Sequence, residues 1–258
     1  VTPERRAVID GIADRVVAMR DDAPLLVGIQ GRSAAGKSTL ADELAKALAA
    51  RGVETFASSL DDFHTPGHAH RSRQRLYTPE TRYTESYTYD AFRRGVIDLL
   101  RERGDRRVRA ALWNSGTDEP IEVPWIECPD RVVAIIEGAF LSHPLIADAW
   151  DLSIWLDVDF ATVLARAEHR DVAWVGSVED VRRHYREQWI PAHELYEDRT
   201  HAIDRCDIVI DQRDVERPRI VRTERPDETP PSLEIQTEPP RNSQLASSAG
   251  TPSRMRRS

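Results

Sequence analysis

The stretch GIQGRSAAGKSTLADELAKAL, residues 28–48, contains Gly31-x-x-x-x-Gly36-Lys37-Ser38. No other feature of the chain restricts the fold as strongly, because this spacing wraps backbone around a phosphate only where a strand enters the loop and a helix leaves it. Both flanks are present. Residues 25–29 (LLVGI) are a short apolar run bounded by turn residues, as in a strand buried on both faces. Beyond the loop Leu40, Leu44, Ala47 and Leu48 recur at helical spacing. Of the 36 basic residues only Lys37 and Lys46 are lysines, so one of the two lysines stands in this loop.

The remaining pattern predicts an α/β chain. Val8, Ile9, Ile12, Val16 and Val17 form one stripe of a helix over 3–20. Further strands are predicted at 53–60, 132–136, 152–158 and 208–210, and helices at 89–103, 160–170 and 178–205. Strands alternating with helices predict the P-loop NTPase fold, with a five-stranded parallel sheet covered by helices on both faces. Residues 106–126 differ, since RRVRAALW and PIEVPWI flank a turn-rich NSGTDE, and they predict a small β-hairpin insertion. Residues 218–258 hold seven of the sixteen prolines and no aromatic residue. Such a composition cannot bury enough apolar surface to offset its ordering entropy. The division expected is a P-loop domain over 1–212 and a Pro/Arg/Ser-rich disordered tail over 213–258, whose basic end RMRRS leaves a partner-binding role open.

Composition narrows the function classes. A net charge of -8 and a pI near 5.6 argue against a general nucleic-acid binder. No apolar run approaches the roughly 20 residues that span a bilayer, and the first residues are charged where a secretory signal would be apolar. A cytoplasmic protein with no membrane partner is expected. Cys128 and Cys206 stand far apart with no second ligand nearby, which signals neither a disulfide framework nor a zinc site.

Four stretches carry candidate chemistry. In the loop, the backbone of Gly31, Arg32, Ser33, Ala34, Ala35, Gly36 and Lys37 is expected to point N–H groups at a β-phosphate. Lys37 would bridge the β- and γ-phosphates, the Ser38 hydroxyl would ligate Mg²⁺, and Thr39 would help hold the α-phosphate. A GTPase is excluded, because neither lysine belongs to an N-K-x-D element. In SSLDDFH, residues 58–64, Asp61 and Asp62 should face the cleft beyond a strand end, where a carboxylate can take the proton of an attacking hydroxyl. A solvated acidic turn is the plain alternative. In IIEGAFL, residues 135–141, Glu137 closes an apolar strand, an expensive place for a charge unless Mg²⁺ or an arginine awaits it. In DFATVLARAEHRD, residues 159–171, Arg166 and Arg170 share a helix face and could clamp a transferring phosphoryl group, or belong to a solvated surface.

Taken in order, GRSAAGKST, LDDFH, YDAF, IEGAFL, LARAEHRD and YREQWIPAHELYEDRTHAIDRCDIVID resemble the uridine kinase and phosphoribulokinase-like group of P-loop kinases, most closely its actinobacterial type. The similarity covers roughly residues 10–212. It implies ATP and Mg²⁺ as cosubstrate and cofactor, a lid over the phosphates, and an uridine- or cytidine-like acceptor phosphorylated at its 5′-hydroxyl. By that match Asp61 takes the place of the catalytic aspartate, Phe63 is retained, His64 stands where tyrosine is usual, and Glu137 matches the strand-end glutamate. Tyr87 or Glu85 occupies the place of the ribose-binding aspartate, and the hairpin offers Trp113 and Asn114 near the positions that read the pyrimidine. The lid reads Val172-Ala173-Trp174-Val175-Gly176 where arginines are usual. His64, Tyr83, Tyr87 and Trp113 are therefore the expected acceptor contacts, and oligomers are left open.

Two rivals follow from these departures. One is a related kinase for another acceptor, such as pantothenate, a sugar phosphate or a specialised metabolite. The other is a nucleotide-binding regulatory protein without catalysis, against which intact Lys37, Ser38, Asp61 and Glu137 argue.

Overall fold

A computed structural model of the chain describes residues 1–102, 106–114 and 117–225. Its strands in chain order are β1 (Leu25–Gly31), β2 (Thr55–Ser59), β3 (Arg107–Val108), β4 (Trp113–Asn114), β5 (Glu119–Pro120), β6 (Ile126–Glu127), β7 (Val133–Gly138), β8 (Leu152–Asp157), β9 (Ile208–Asp211) and β10 (Arg219–Arg222). Six of them form one sheet among the described residues, in the order β10-β9-β8-β1-β7-β2. The five strands from β9 to β2 run parallel. All seven residues of β1 are buried, as expected of a central parallel strand.

Period-two alternation sends successive β1 side chains to two separate cores. Leu26 packs with Phe92, Val96, Leu100, Ala192 and Tyr196, from the helical runs around 89–101 and 190–200. Leu25, Val27 and Ile29 pack on the other face with α1 (Pro3–Met19), α2 (Lys37–Ala49) and the Phe160–Arg170 helix. Each fully buried Leu, Val or Ile contributes about 1.5–3 kcal/mol relative to exposure. The start of α1 is set by Thr2, whose side chain accepts from the Arg5 N–H, with Pro3 in the first turn.

The insertion is a hairpin in two short ladders, β3 with β6 and β4 with β5, both antiparallel. The sheet differs from the sequence expectation at its edge. Arg219–Arg222, placed with the tail, pairs antiparallel to β9 as a sixth strand, so ordered chain continues past residue 212. An edge strand needs only one apolar residue facing inward, here Ile220, and the prolines and arginines around it hide that signal. Backbone carbonyls of Ile203 and Cys206 accept from Arg222 and hold the strand down. Residues 226–258, most of the expected tail, lie outside the described residues.

A chain ending at Gln212 should lose about 1–2 kcal/mol against one ending at Arg225, a drop of roughly 3–6 °C in Tm for a domain of this size. Equal thermal unfolding midpoints would contradict a structural role for β10.

Candidate active site

The carboxyl ends of β1, β2 and β7 meet at one cleft of about 980 Å³. Chain leaves β1 toward β2 on one side and returns through β7 to β8 on the other, so β1 marks the point where open α/β sheets bind ligands. Gly31 ends β1 at φ +153°, and a Cβ there would stand 2.6 Å from the Leu156 carbonyl oxygen on the neighbouring strand. Gly36, at φ +97°, caps α2. Both positions demand glycine, which is the physical content of the motif spacing.

Inside the loop the amides are divided. The Ser33 N–H donates to His193 Nε2 at 3.1 Å and the Ala35 N–H to the Arg32 carbonyl at 3.1 Å, so these two are taken up within the protein rather than turned toward a phosphate. The amides that open α2 remain oriented as an anion site. Arg32 also points away from the cleft: its guanidinium pairs with Glu197 at 2.6 and 2.7 Å, donates to the Val158 carbonyl, and lies 4.2 Å over the Phe160 ring. It fastens the loop to two helices. Ser33, Ala34, Gly36, Lys37, Ser38 and Thr39 line the cleft, whereas Gly31, Arg32 and Ala35 build its wall.

The register places Glu137 of β7 between Ile29 of β1 and Ser59 of β2. Its Oε1 accepts from Ser38 Oγ at 3.1 Å and from Ser59 Oγ at 2.7 Å. Burial and the neighbouring Asp61 raise its pKa, against the opposing pull of Lys37 and the two serines. Burial likewise lowers the Lys37 pKa while Glu137 and Asp61 support its charge. The Lys37 ammonium donates to the Arg32 carbonyl at 3.2 Å. A desolvated lysine beside a desolvated carboxylate and a hydroxyl is a donor set that suits a phosphate and a hard cation. Ser38 and Glu137 would hold Mg²⁺, which takes its other ligands from phosphate and water.

Asp61 follows β2 in a short 3₁₀ turn, Leu60–Phe63, where Ser59 Oγ accepts from the Asp61 N–H. Its Oδ1 accepts from the Tyr87 hydroxyl at 2.8 Å, leaving Oδ2 for another partner. Asp62 is turned out of the cleft and half-buried. Burial, then Asp61 and Glu137, push its carboxyl up to about 6.

Arg166 and Arg170 both line the cleft without forming a matched clamp. Arg166 donates to the carbonyls of Gln212 at 2.7 Å and Arg213 at 2.9 Å, which tie it to the end of β9. Arg170 pairs with Asp171 at 2.6 and 3.0 Å and reaches the Tyr185 hydroxyl at 3.1 Å, and that hydroxyl donates to Asp171 at 2.8 Å. Desolvation works against the Arg170 charge, and Asp171, Tyr185 and Asp61 outweigh it, so its pKa stands above the ordinary arginine value.

At the other end, His64 and Tyr87 line the cleft as expected, stacked at 4.7 Å, with the His68 ring tilted against His64 at 3.7 Å. Burial lowers the pKa of both histidines, which favours their neutral forms. Phe63, Tyr83 and Trp113 are not brought to the cleft. Phe63 is fully buried against Phe92, 4.9 Å between centroids, and Tyr83 packs among Phe140, His143 and Tyr196. Trp113 sits in the hairpin with its Nε1 donating to Asp118. Such aromatic residues near a site are as readily core as contact, and the rings of Phe63 and Tyr83 settled in the apolar layer. Ser72, Arg73, Asp171, Tyr185 and Trp189 line the cleft without a signal strong enough to single them out. Asp171 follows Arg170 directly, which is the one hint the order of residues offered. Trp174, 44% exposed on a short helix (Val172–Val175), lines the rim.

The profile of the Phosphoribulokinase / Uridine kinase family matches residues 26–217. The chain belongs to this family. It is 26% identical over 192 residues to a uridine kinase of Staphylococcus aureus, covering 73% of this chain and 87% of that one. A candidate uridine kinase from Bacillus stearothermophilus superposes with a TM-score of 0.62 at 18% identity, over 79% of this chain and 97% of the other. A candidate fructose transport system kinase from Silicibacter sp. TM1040 gives 0.61 at 26% identity, over 74% and 94%. Membership makes the chain a nucleotide-binding P-loop phosphotransferase, and among its described residues no helix is long and apolar enough to cross a membrane.

The Asp62 shift has a testable sign. A carboxyl raised to about 6 from about 3.9 adds stability that is fully present below the unfolded value and is lost as pH rises through the folded one. Asp62→Asn should therefore melt above the wild type at pH 7.5 and level with it at pH 4. A variant no more stable at pH 7.5 would contradict this placement of Asp62.

Proposed function

We propose that the chain transfers the γ-phosphoryl group of ATP, with Mg²⁺, to a hydroxyl of a small molecule. The observation that carries this reading is the meeting of Lys37, Ser38, Glu137 and Asp61 in one cleft, from two strand ends and one helix start. Asp61 Oδ2 takes the acceptor proton as the acceptor oxygen bonds to the γ-phosphorus and the bond to the β-phosphate oxygen breaks, releasing ADP. Tyr87 holds Oδ1 and so fixes which oxygen faces the acceptor. Lys37 and the amides opening α2 oppose the charge that develops on the phosphate oxygens. Arg170, aligned by Asp171 and Tyr185, adds a cation at the rim. Bound Mg²⁺ would supply further charge neutralisation between phosphate oxygens.

Two acceptor readings stand beside each other. The name of the Staphylococcus aureus relatives supports a uridine or cytidine 5′-hydroxyl. Against carrying over the nucleoside contacts, the Tyr87 hydroxyl is committed to Asp61 and Trp113 lies outside the cleft. A different small metabolite, such as pantothenate or a sugar derivative, fits those two facts better.

Asp61→Asn should lower acceptor-dependent ADP release by roughly 10²–10⁴-fold while Mg·ATP affinity stays within about threefold. Near-normal turnover in that variant would remove Asp61 from the mechanism. Lys37→Ala should weaken both ATP binding and rate; survival of both would overturn the assignment of the loop.

A further inference from the structure

Arg82, on the Pro79–Glu85 helix, has no solvent exposure, and no carboxylate among the described residues lies within ion-pairing distance of it. One terminal nitrogen donates to Ser72 Oγ at 3.0 Å and to Gln188 Oε1, while Nε and the other terminal nitrogen are buried without a partner. The guanidinium carbon lies 4.2 Å from the Tyr77 ring centroid and 4.5 Å from that of Trp189. Every contact is neutral. Two cation–π contacts offset only part of the cost of burying an ion. The other arginines drawn into the protein differ: Arg5 has Glu43, Arg32 has Glu197 and Arg106 has Asp130. Burial pulls the Arg82 pKa down to about 10, the mark of a cation that lacks its counter-charge.

The missing charge is best placed in the cleft. Ser72 and Trp189, which touch the guanidinium, both line it, so Arg82 lies one side chain behind the wall. Because Ser72 Oγ accepts from Arg82, its own proton is free to be donated into the cleft. Arg73 lines the same end and makes no ion pair among the described residues, whereas Arg71 is paired with Glu85. His68, neutral and held by Tyr77 at 3.1 Å, presents its other nitrogen beside them. Trp189 is pinned by donating to His184 at 3.0 Å. The cations at the nucleotide end, Lys37, Arg166 and Arg170, each have partners of their own, so Arg73 and Arg82 form a second positive group.

We infer that the acceptor carries an anionic group, a carboxylate or a phosphate monoester, held by Ser72 and Arg73 and backed by the unpaired charge of Arg82. This rests on the phosphotransfer reading above and narrows it, since a neutral nucleoside would leave Arg82 without a counter-charge.

The test uses the full chain and matched acceptors: glycerate and glycerol 3-phosphate against glycerol, pantothenate against pantothenol, fructose 6-phosphate against fructose, and uridine. Binding is read by calorimetry with Mg²⁺ and a non-hydrolysable ATP analogue saturating the nucleotide site, and turnover by ADP release with Mg·ATP. At least one charged compound should exceed its neutral counterpart by tenfold or more in affinity, and which arm does so separates carboxylate from phosphate. Arg82→Met should erase that ratio with Mg·ATP affinity unchanged, and Arg82→Lys should restore part of it. Should Arg82→Met fail to fold, Ser72→Ala and Arg73→Gln, at the cleft surface, should each weaken the charged ligand about three- to tenfold. Equal or better binding of uridine and the neutral compounds, no binding of any charged compound, or a charge preference indifferent to all these substitutions would overturn the inference. Charged binding without ADP release would uphold it and refute phosphotransfer; turnover of neutral acceptors alone would do the reverse.

Discussion

A carboxylate at the end of a strand buried on both faces has to find donors, and Glu137 finds them on two other elements. Ser59 at the end of β2 and Ser38 at the start of α2 both donate to the same oxygen. That single acceptor ties the strand that leads into Asp61 to the helix that follows the phosphate loop. Its position is set by the sheet register, which puts Glu137 opposite Ser59 on one side and Ile29 on the other. The arrangement is costly while the carboxylate is surrounded only by hydroxyls, Asp61 and one lysine, because burial disfavours both Glu137 and Lys37 in their charged forms. On the proposed reading, a bound nucleotide and cation would relieve the cost on each side.

Electrostatic isolation recurs across the cleft in a graded way. At the nucleotide end the arginines are oriented by carboxylates or carbonyls, so their charge is available in a fixed direction. In the middle, Tyr87 donates to Asp61 and stacks with His64, which in turn lies against His68. At the far end Arg82 has no carboxylate partner among the described residues, and two of its nitrogens are buried without a partner. On the proposed reading, this gradient from satisfied to unsatisfied positive charge would order two ligands along one cavity, nucleotide first and acceptor second.

Much of this was readable before any coordinates. The β1–loop–α2 unit followed from a spacing that only glycines at Gly31 and Gly36 can satisfy, and the five parallel strands followed from apolar runs of the right length. Lys37, Ser38, Asp61, Glu137, Arg166 and Arg170 are brought to one cleft because strand ends and loop residues are placed by local rules. Long-range packing was not readable. Arg82 meets Gln188 across 106 positions, and nothing near either residue announces the pair. Tyr83 and Phe63 look like pocket residues by type, yet their neighbours in space are other aromatic rings. The edge strand β10 rests on one inward isoleucine among arginines, too faint a pattern to separate from a solvated tail.

The most direct test of the account is a crystal structure with Mg²⁺ and a non-hydrolysable ATP analogue. The account predicts phosphate oxygens on Lys37 Nζ and the amides opening α2, the cation between Ser38 and Glu137, and Asp61 Oδ2 facing the γ-phosphorus from the His64 and Ser72 side. A nucleotide seated elsewhere, or an Asp61 carboxylate turned away from the γ-phosphate with its Tyr87 bond broken, would contradict it.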